Sequence, residues 1–327
     1  MLTKINRVLE KGMPVFTPLS VVTGVLFSDM KSLSFLIPWV FAIMTFAGGL
    51  NSDIKSFQRV MTRPWPIFIT LFILHIWMPI FAWGSGSLVF RDDPLTITGL
   101  ILGMIIPTGI TSFIWVSMYK GNQVLALSVI LVDTLLSPII VPYTLSLFVG
   151  KLVEIDGFKI MQGLLFMIVL PTVLGMGINQ WSKGSIPNKI SPILTPFSKL
   201  GLSFVVMVNS AAVAPFLVTM NSKLLITAAV VGGISLSGYV FSWLIGSLLK
   251  WSREDIVTLT FCGGMRNITT GAVIAVTYFP HEVAIPVVVA MLFQQVLASL
   301  AGKFLSLASD IKNKAPDPDQ QPKTNVK

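Results

Sequence analysis

Residues 261–271 read FCGGMRNITTG, inside an apolar run that extends from about residue 255 to 279. Arg266 sits near the middle of that run. A charged side chain at the centre of a bilayer costs about 2.5–3.5 kcal/mol even on insertion scales, so something in the protein must offset it. Gly263 and Gly264 weaken a helix at the same depth. Backbone groups freed there need partners that lipid does not supply. The stretch reads as a membrane span broken at mid-depth around a charge.

The rest of the chain fits a bilayer as well. Of 327 residues, 54% are hydrophobic and 11% charged, and the mean hydropathy is +0.81. A soluble domain carries about 25% charged residues. The net charge of +9 does not point to nucleic acid, because Lys and Arg cluster in short loops and tails between apolar runs. A single cysteine, Cys262, excludes an intrachain disulfide and a cysteine metal cluster. The opening MLTKINRVLEKGMP is basic, but no small-residue cleavage site follows it. The first apolar run therefore reads as a retained span, not a signal peptide.

A crossing helix needs about 20 mostly apolar residues. Ten runs qualify: 13–29, 34–51, 66–84, 96–119, 124–149, 159–180, 196–217, 223–249, 255–279 and 283–306. With a cytoplasmic N-terminus, seventeen basic residues fall inside and five (Lys31, Arg91, Lys151, Lys159, Lys223) outside; the last of the 23 is Arg266. That excess predicts an inner-membrane protein with both termini in the cytoplasm. Residues 1–12 are expected to be a cytoplasmic N-terminal segment, and the polar, Pro-rich 307–327 a disordered cytoplasmic tail.

Ten spans divide into two sets of five, and an odd number per half turns the second half upside down relative to the first. Carriers built this way hold substrate near the midplane at discontinuous helices. The fourth span supplies the matching break, Ile106-Pro107-Thr108-Gly109-Ile110-Thr111-Ser112. Pro107 removes an amide donor and Gly109 tolerates unusual dihedrals. The expected fold is all-α and membrane-embedded, with two inverted five-helix repeats and spans four and nine broken and crossing. The expected helix breaks are Pro107 and Gly109 in one half, Gly263 and Gly264 in the other.

Few polar residues lie inside the spans. Asp133, in SVILVDTLLSPIIVP, is the one acidic residue away from loops, tails and span ends. Its depth matches that of Arg266, so the two are expected to form a charge pair. Ser137 shares its face at i+4. Such a pair either fixes helix packing or serves function, with Arg266 drawing an anion and Asp133 tuning it or titrating. His75, in FILHIWMP, is a hydrogen-bonded packing residue or a proton relay. Asn209 and Ser210 form a polar island in the seventh span, and Gln294 and Gln295 another in the tenth; each lines a cavity or bridges helices.

These breaks and motifs resemble the bile acid:sodium symporter family and its bacterial relatives, over roughly residues 13–306. The resemblance implies a core domain of spans three to five and eight to ten (66–149 and 223–306). It implies a panel of the other four (13–51 and 159–217), with substrate carried between the two by alternating access. Family members typically read Glu-x-Gly-Met-Gln-Asn in the ninth span. Here Gly264, Met265 and Asn267 match, Cys262 replaces the glutamate that would bind both sodium ions, and Arg266 replaces the glutamine. Against the fourth-span pattern Pro-Gly-Gly-x-x-Ser-Asn, Pro107, Gly109 and Ser112 match, with Thr108 for a glycine and Phe113 for the asparagine. Leu74 stands where the third span would carry glutamine.

A sodium site needs hard oxygen ligands, usually with a carboxylate. The departures therefore suggest that the Arg266 guanidinium takes the place of a missing cation, with coupling to protons through Asp133 or His75, or none. An alternative set, Thr108, Thr111, Ser112, Asp133 and Ser137 with Met265, is the remaining sodium candidate. The expected function is secondary transport of a small organic anion, bile-acid-like or another carboxylate. Arg266, Asn267, Thr108, Thr111, Ser112 and Asn209 are the expected substrate-binding residues. No cofactor is expected, only a coupling ion (sodium or proton), and the protein is expected to act as a monomer in the lipid bilayer. Rival readings are an arsenite-type efflux carrier of the related branch, although the cysteine those carriers use in the fourth span is missing, and a non-transporting sensor, although no sizeable soluble domain is present. An enzyme is not expected, because no HExxH, paired-Asp or nucleophile–base pattern occurs.

Overall fold

A computed structural model describes residues 16, 18–51, 64–150, 153, 156–218 and 221–314. Every regular element among the described residues is helical. In chain order these are α1 (18–26), α2 (Ser28–Leu50), α3 (Trp65–Val89), α4 (Pro94–Ile105), α5 (Thr111–Met118), α6 (Gln123–Val149), α7 (Gly157–Trp181), α8 (Ser185–Val218), α9 (Ser222–Leu248), α10 (Arg253–Gly264), α11 (Ile268–Tyr278) and α12 (His281–Lys314). Among the described residues seven helices (α2, α3, α6, α7, α8, α9 and α12) are long and apolar enough to cross a membrane. Large apolar side chains such as Trp39, Trp65, Leu88, Tyr143, Phe166 and Trp181 point outward, as a lipid-facing surface requires. Residues 1–12, the basic loop at 55–63 and part of the first expected span lie outside the described residues, as do 315–327; residues 307–314, expected to begin a disordered tail, instead continue helix α12.

Helix starts follow the local sequence. Asp93, Asn122, Asp156, Asn221, Ser252 and Asn267 each accept a hydrogen bond from a backbone N–H in the first turn of the helix they precede. These are the residue types that cap free amides best. Two helices widen into π turns, Ile73–Trp77 in α3 and Leu165–Val169 in α7. Each turn precedes a proline, Pro79 or Pro171, whose ring would collide with the carbonyl four residues back. The wider turn relieves that collision, and in α3 it contains His75. By contrast, α6 runs unbroken through Pro138 and Pro142.

The helices form two packed sets. α2 packs on α7 and α8. There a Cβ added at Gly175 would meet backbone atoms of Gly49 and Leu50, the small-residue contact that lets membrane helices approach closely. α9 packs on α10, α12 on α4, and α11 on α12. α8 joins the sets, touching both α11 and α12. Helices α4, α10 and α11 are the most deeply buried, every residue of α4 from Thr96 to Ile105 included, whereas α5 buries only Ser112 and Val116.

Candidate functional site

Both breaks form where the chain turns extended. Pro107 disfavours helical geometry for its predecessor, and Ile106 is extended (φ −62°, ψ 149°). In the second half Met265 is extended (φ −104°, ψ 140°). The break there is Met265-Arg266-Asn267, so Gly263 and Gly264 are the last helical residues of α10 and not the break itself. Neither has a positive φ. Their role is contact: a Cβ on Gly264 would strike the Tyr239 ring, and one on Gly263 the Ser242 hydroxyl. The expectation that these two glycines interrupt the helix is thus corrected; they let α10 lie close on α9.

The two breaks meet and bond to each other. The Asn267 amide donates to Pro107 O at 2.7 Å. The Thr108 hydroxyl lies 2.9 Å from Cys262 O and 3.0 Å from Met265 O, sharing its proton between them. A Cβ at Gly109 would sit 2.9 Å from Arg266 O, so the crossing leaves no room for a side chain there.

Each break also receives a side-chain cap from the next long helix of its own half. The Thr108 N–H donates to Asp133 Oδ2 at 2.6 Å, and the Arg266 N–H to Gln294 Oε1 at 3.1 Å. One cap is a carboxyl group and the other a neutral amide. The sequence singled out Gln294 as polar but left its role open; its partner is a backbone amide 28 positions away, which no local pattern discloses.

Arg266 is 2% exposed and does not pair with Asp133, which corrects the expected charge pair. Its Nε donates to Met104 O at 2.8 Å, and its Nη1 to Gly263 O at 2.8 Å and Met265 O at 3.3 Å. Met104 and Gly263 lie in the last turns of α4 and α10, whose carbonyls carry the negative ends of the helix dipoles. Two helix C-termini therefore hold the guanidinium, which answers how a buried arginine is tolerated. Asp133, 0% exposed, bonds instead to His75, with Nε2 and Oδ1 2.5 Å apart. The histidine is thus a partner of the carboxyl group and not a packing residue alone.

The other expected site residues are placed as follows. Ser112 Oγ lies 3.8 Å from Cys262 Sγ. Thr111 is half-buried in the first turn of α5. The Ser137 hydroxyl donates to Thr134 O on its own helix at 2.8 Å, so it shares no bond with Asp133. Asn267 caps α11 through Thr270 N–H. Among the buried polar side-chain atoms of the described residues, Asn209 Nδ2 and Oδ1, Thr270 Oγ1, Arg266 Nη2, His75 Nδ1 and, away from the breaks, Ser191 Oγ have no protein partner. Buried polar groups are normally paired, so each of these atoms has hydrogen-bonding capacity that the protein leaves unused. Thr270 was not singled out from the sequence. No group of three or more His, Cys, Asp or Glu side chains among the described residues could hold a metal ion.

The model of the sodium bile acid symporter family matches residues 38–220. The chain belongs to this family. It is 52% identical over 295 residues to "Uncharacterized protein YbaS" of Bacillus subtilis, covering 90% of this chain and 96% of that one. The "Uncharacterized sodium-dependent transporter YocS" of the same organism is 23% identical over 266 residues, covering 81% of each. The "Probable sodium/metabolite cotransporter BASS1, chloroplastic" of Arabidopsis thaliana is 25% identical over 299 residues, covering 87% of this chain and 72% of the relative. As a member of the symporter family the protein is a membrane transporter and not an enzyme.

Proposed function

We propose that this protein is a secondary carrier of a small organic anion that works by alternating access without sodium, Arg266 standing in for the coupling cation. The seating of the guanidinium carries this reading. Unwound carbonyls and half-helix C-termini are the groups with which such carriers hold sodium. Here Met104 O, Gly263 O and Met265 O accept from Arg266, while Thr108 takes Cys262 O and again Met265 O. The side chains that would complete a sodium shell are Cys262, Phe113 and Leu74, none of them a hard oxygen donor. Both Asp133 oxygens are engaged, Ser137 bonds along its own helix and Ser112 faces a thiol. None of these residues is taken as a sodium ligand. The names of YocS and BASS1 speak of sodium; transport of a metabolite is carried over from those relatives, and their sodium dependence is not.

An anion suits the remaining groups. The N-terminus of α11, the positive end of its dipole, adjoins the unpartnered Thr270 hydroxyl, and α8, which carries the unpartnered Asn209, packs on the same helix. The ten-span arrangement in two inverted repeats is supported by the paired breaks and their paired caps, Asp133 and Gln294. The core-and-panel division is supported by the two helix sets, with α8 at their junction, and cytoplasmic termini are supported by the excess of basic residues on that side. Uptake of a panel of labelled organic acids into proteoliposomes, under a sodium gradient, a proton gradient or neither, tests the reading. Uptake that proceeds equally with and without sodium is expected. Uptake that requires sodium overturns it.

A further inference from the structure

The two break caps differ in one chemical respect: Gln294 cannot titrate, whereas Asp133 can, and it is backed by His75. We infer that His75 and Asp133 together are the proton-coupling site of this carrier, taking one proton at His75 Nδ1 for each monovalent carboxylate that binds. The inference rests on the organic-anion reading above and supplies its coupling ion.

The geometry fixes where the proton goes. The Thr108 N–H donates to Asp133 Oδ2, which therefore acts as an acceptor. With Asp133 ionised, the Nε2–Oδ1 contact requires the His75 tautomer that donates from Nε2. His75 Nδ1 is then the basic lone pair left over, and it has no protein partner. His75 also lines a largely apolar groove of about 1000 Å³ between α3 and α6, whose rim carries the outward-facing Trp65 and Tyr143, and its Nδ1 is buried on the protein side of that groove. A proton arriving at Nδ1 forms an N–H bond and makes the ring an imidazolium beside the Asp133 carboxylate, with no other bond broken.

Charge balance gives the coupling. Arg266 and the dyad carry +1 and −1 when empty, so the buried site is neutral. Protonation of His75 brings the dyad to zero and leaves Arg266 uncompensated, and a carboxylate then restores neutrality. An unbalanced buried charge is costly in a membrane interior, so proton and anion each favour the other's binding. The charged and titratable groups facing the dyad are Arg266 and Cys262 at the second break, which interact with Asp133, and Tyr143 on α6, which lines the groove with His75; Tyr239 on α9 interacts with Arg266. The α4 helix and the stretch of α3 after Trp77, which also pack here, contribute none.

The chain has two histidines, which makes the proton directly observable. In full-length His281→Gln protein labelled with nitrogen-15 histidine, His75 is expected to gain a second ring proton, on Nδ1, when a saturating carboxylate is added, over the pH range in which the protein stays folded. A ring that never changes charge across that range overturns the inference. Sodium-free proteoliposomes enclosing a pH dye, given labelled cholate, pantoate or pyruvate with protein-free vesicles as control, read the coupling. Proton entry in step with acid uptake is expected. His75→Gln, which keeps an amide donor toward Asp133, is expected to lose net uptake to the level of the control. Asp133→Asn mimics the loaded charge state and is expected to keep acid exchange, independent of pH, while losing net uptake. Acid uptake without proton entry, unchanged in His75→Gln, overturns the inference and leaves the carrier reading standing. No uptake of any acid under any gradient overturns both.

Discussion

Arg266 organises the site, because it meets the carbonyl ends of two helices that would otherwise face each other across the crossing. Replacing it by glutamine removes three charge-assisted contacts and leaves Met104 O and Gly263 O underbonded. Each buried group left without a partner costs about 1–3 kcal/mol. Arg266→Gln is therefore expected to lower the melting temperature of the purified protein and to cut organic-acid uptake by about tenfold or more, one charge-assisted bond being worth about that factor. Arg266→Lys is expected not to rescue uptake, since an ammonium lacks the planar fork that reaches carbonyls on both helices. Uptake at the wild-type level in either variant would reduce the arginine to packing. Arg266 and Asp133 stood out in the sequence as charges in apolar runs, but their partners did not. The His75–Asp133 contact joins positions 58 residues apart, and backbone carbonyls are invisible to any reading of side-chain types.

At the scale of elements, the close crossing rests on positions where a methyl group does not fit. Gly264→Ala is expected to force α10 away from Tyr239 and to destabilise the protein by about 1–3 kcal/mol, with Tyr239→Leu partly restoring the melting temperature; no rescue would place the defect elsewhere. The break at Pro107 was legible because proline acts locally. The second break was misplaced by two residues because Gly263 and Gly264 serve packing, a role indistinguishable in sequence from helix breaking. Away from the crossing, Asp93 caps α4 through Thr96 and pairs with Lys223 at the start of α9, 2.7 Å away. Partial burial raises its pKa, but the hydrogen bonds from Lys223 and Thr96 outweigh that and leave it below its ordinary 3.8. A carboxyl group with a lowered folded pKa stabilises above its unfolded value and loses that contribution as pH falls through the folded one. The melting-temperature gap between wild type and Asp93→Asn is therefore expected to hold near neutrality and to close below about pH 4. A gap that grows with acid would contradict this.

On the scale of the whole molecule, composition and hydropathy were enough to read an all-helical membrane protein, because lipid imposes one solution on every exposed backbone group. Orientation is a separate matter that helix packing leaves open. In a Cys262→Ala background, single cysteines at Lys31, Arg91 or Lys223 are expected to react with an impermeant thiol reagent on intact cells. Those at Lys120, Lys183 or Lys250 are expected to react only after permeabilisation. The reverse pattern would invert the topology and with it the assignment of both termini. The central claim is that the guanidinium has taken the place of a coupling cation. Direct binding of sodium-22 to the purified protein tests it without knowledge of the substrate. No saturable binding is predicted for the wild type, and saturable binding of sodium with Arg266 in place would contradict it.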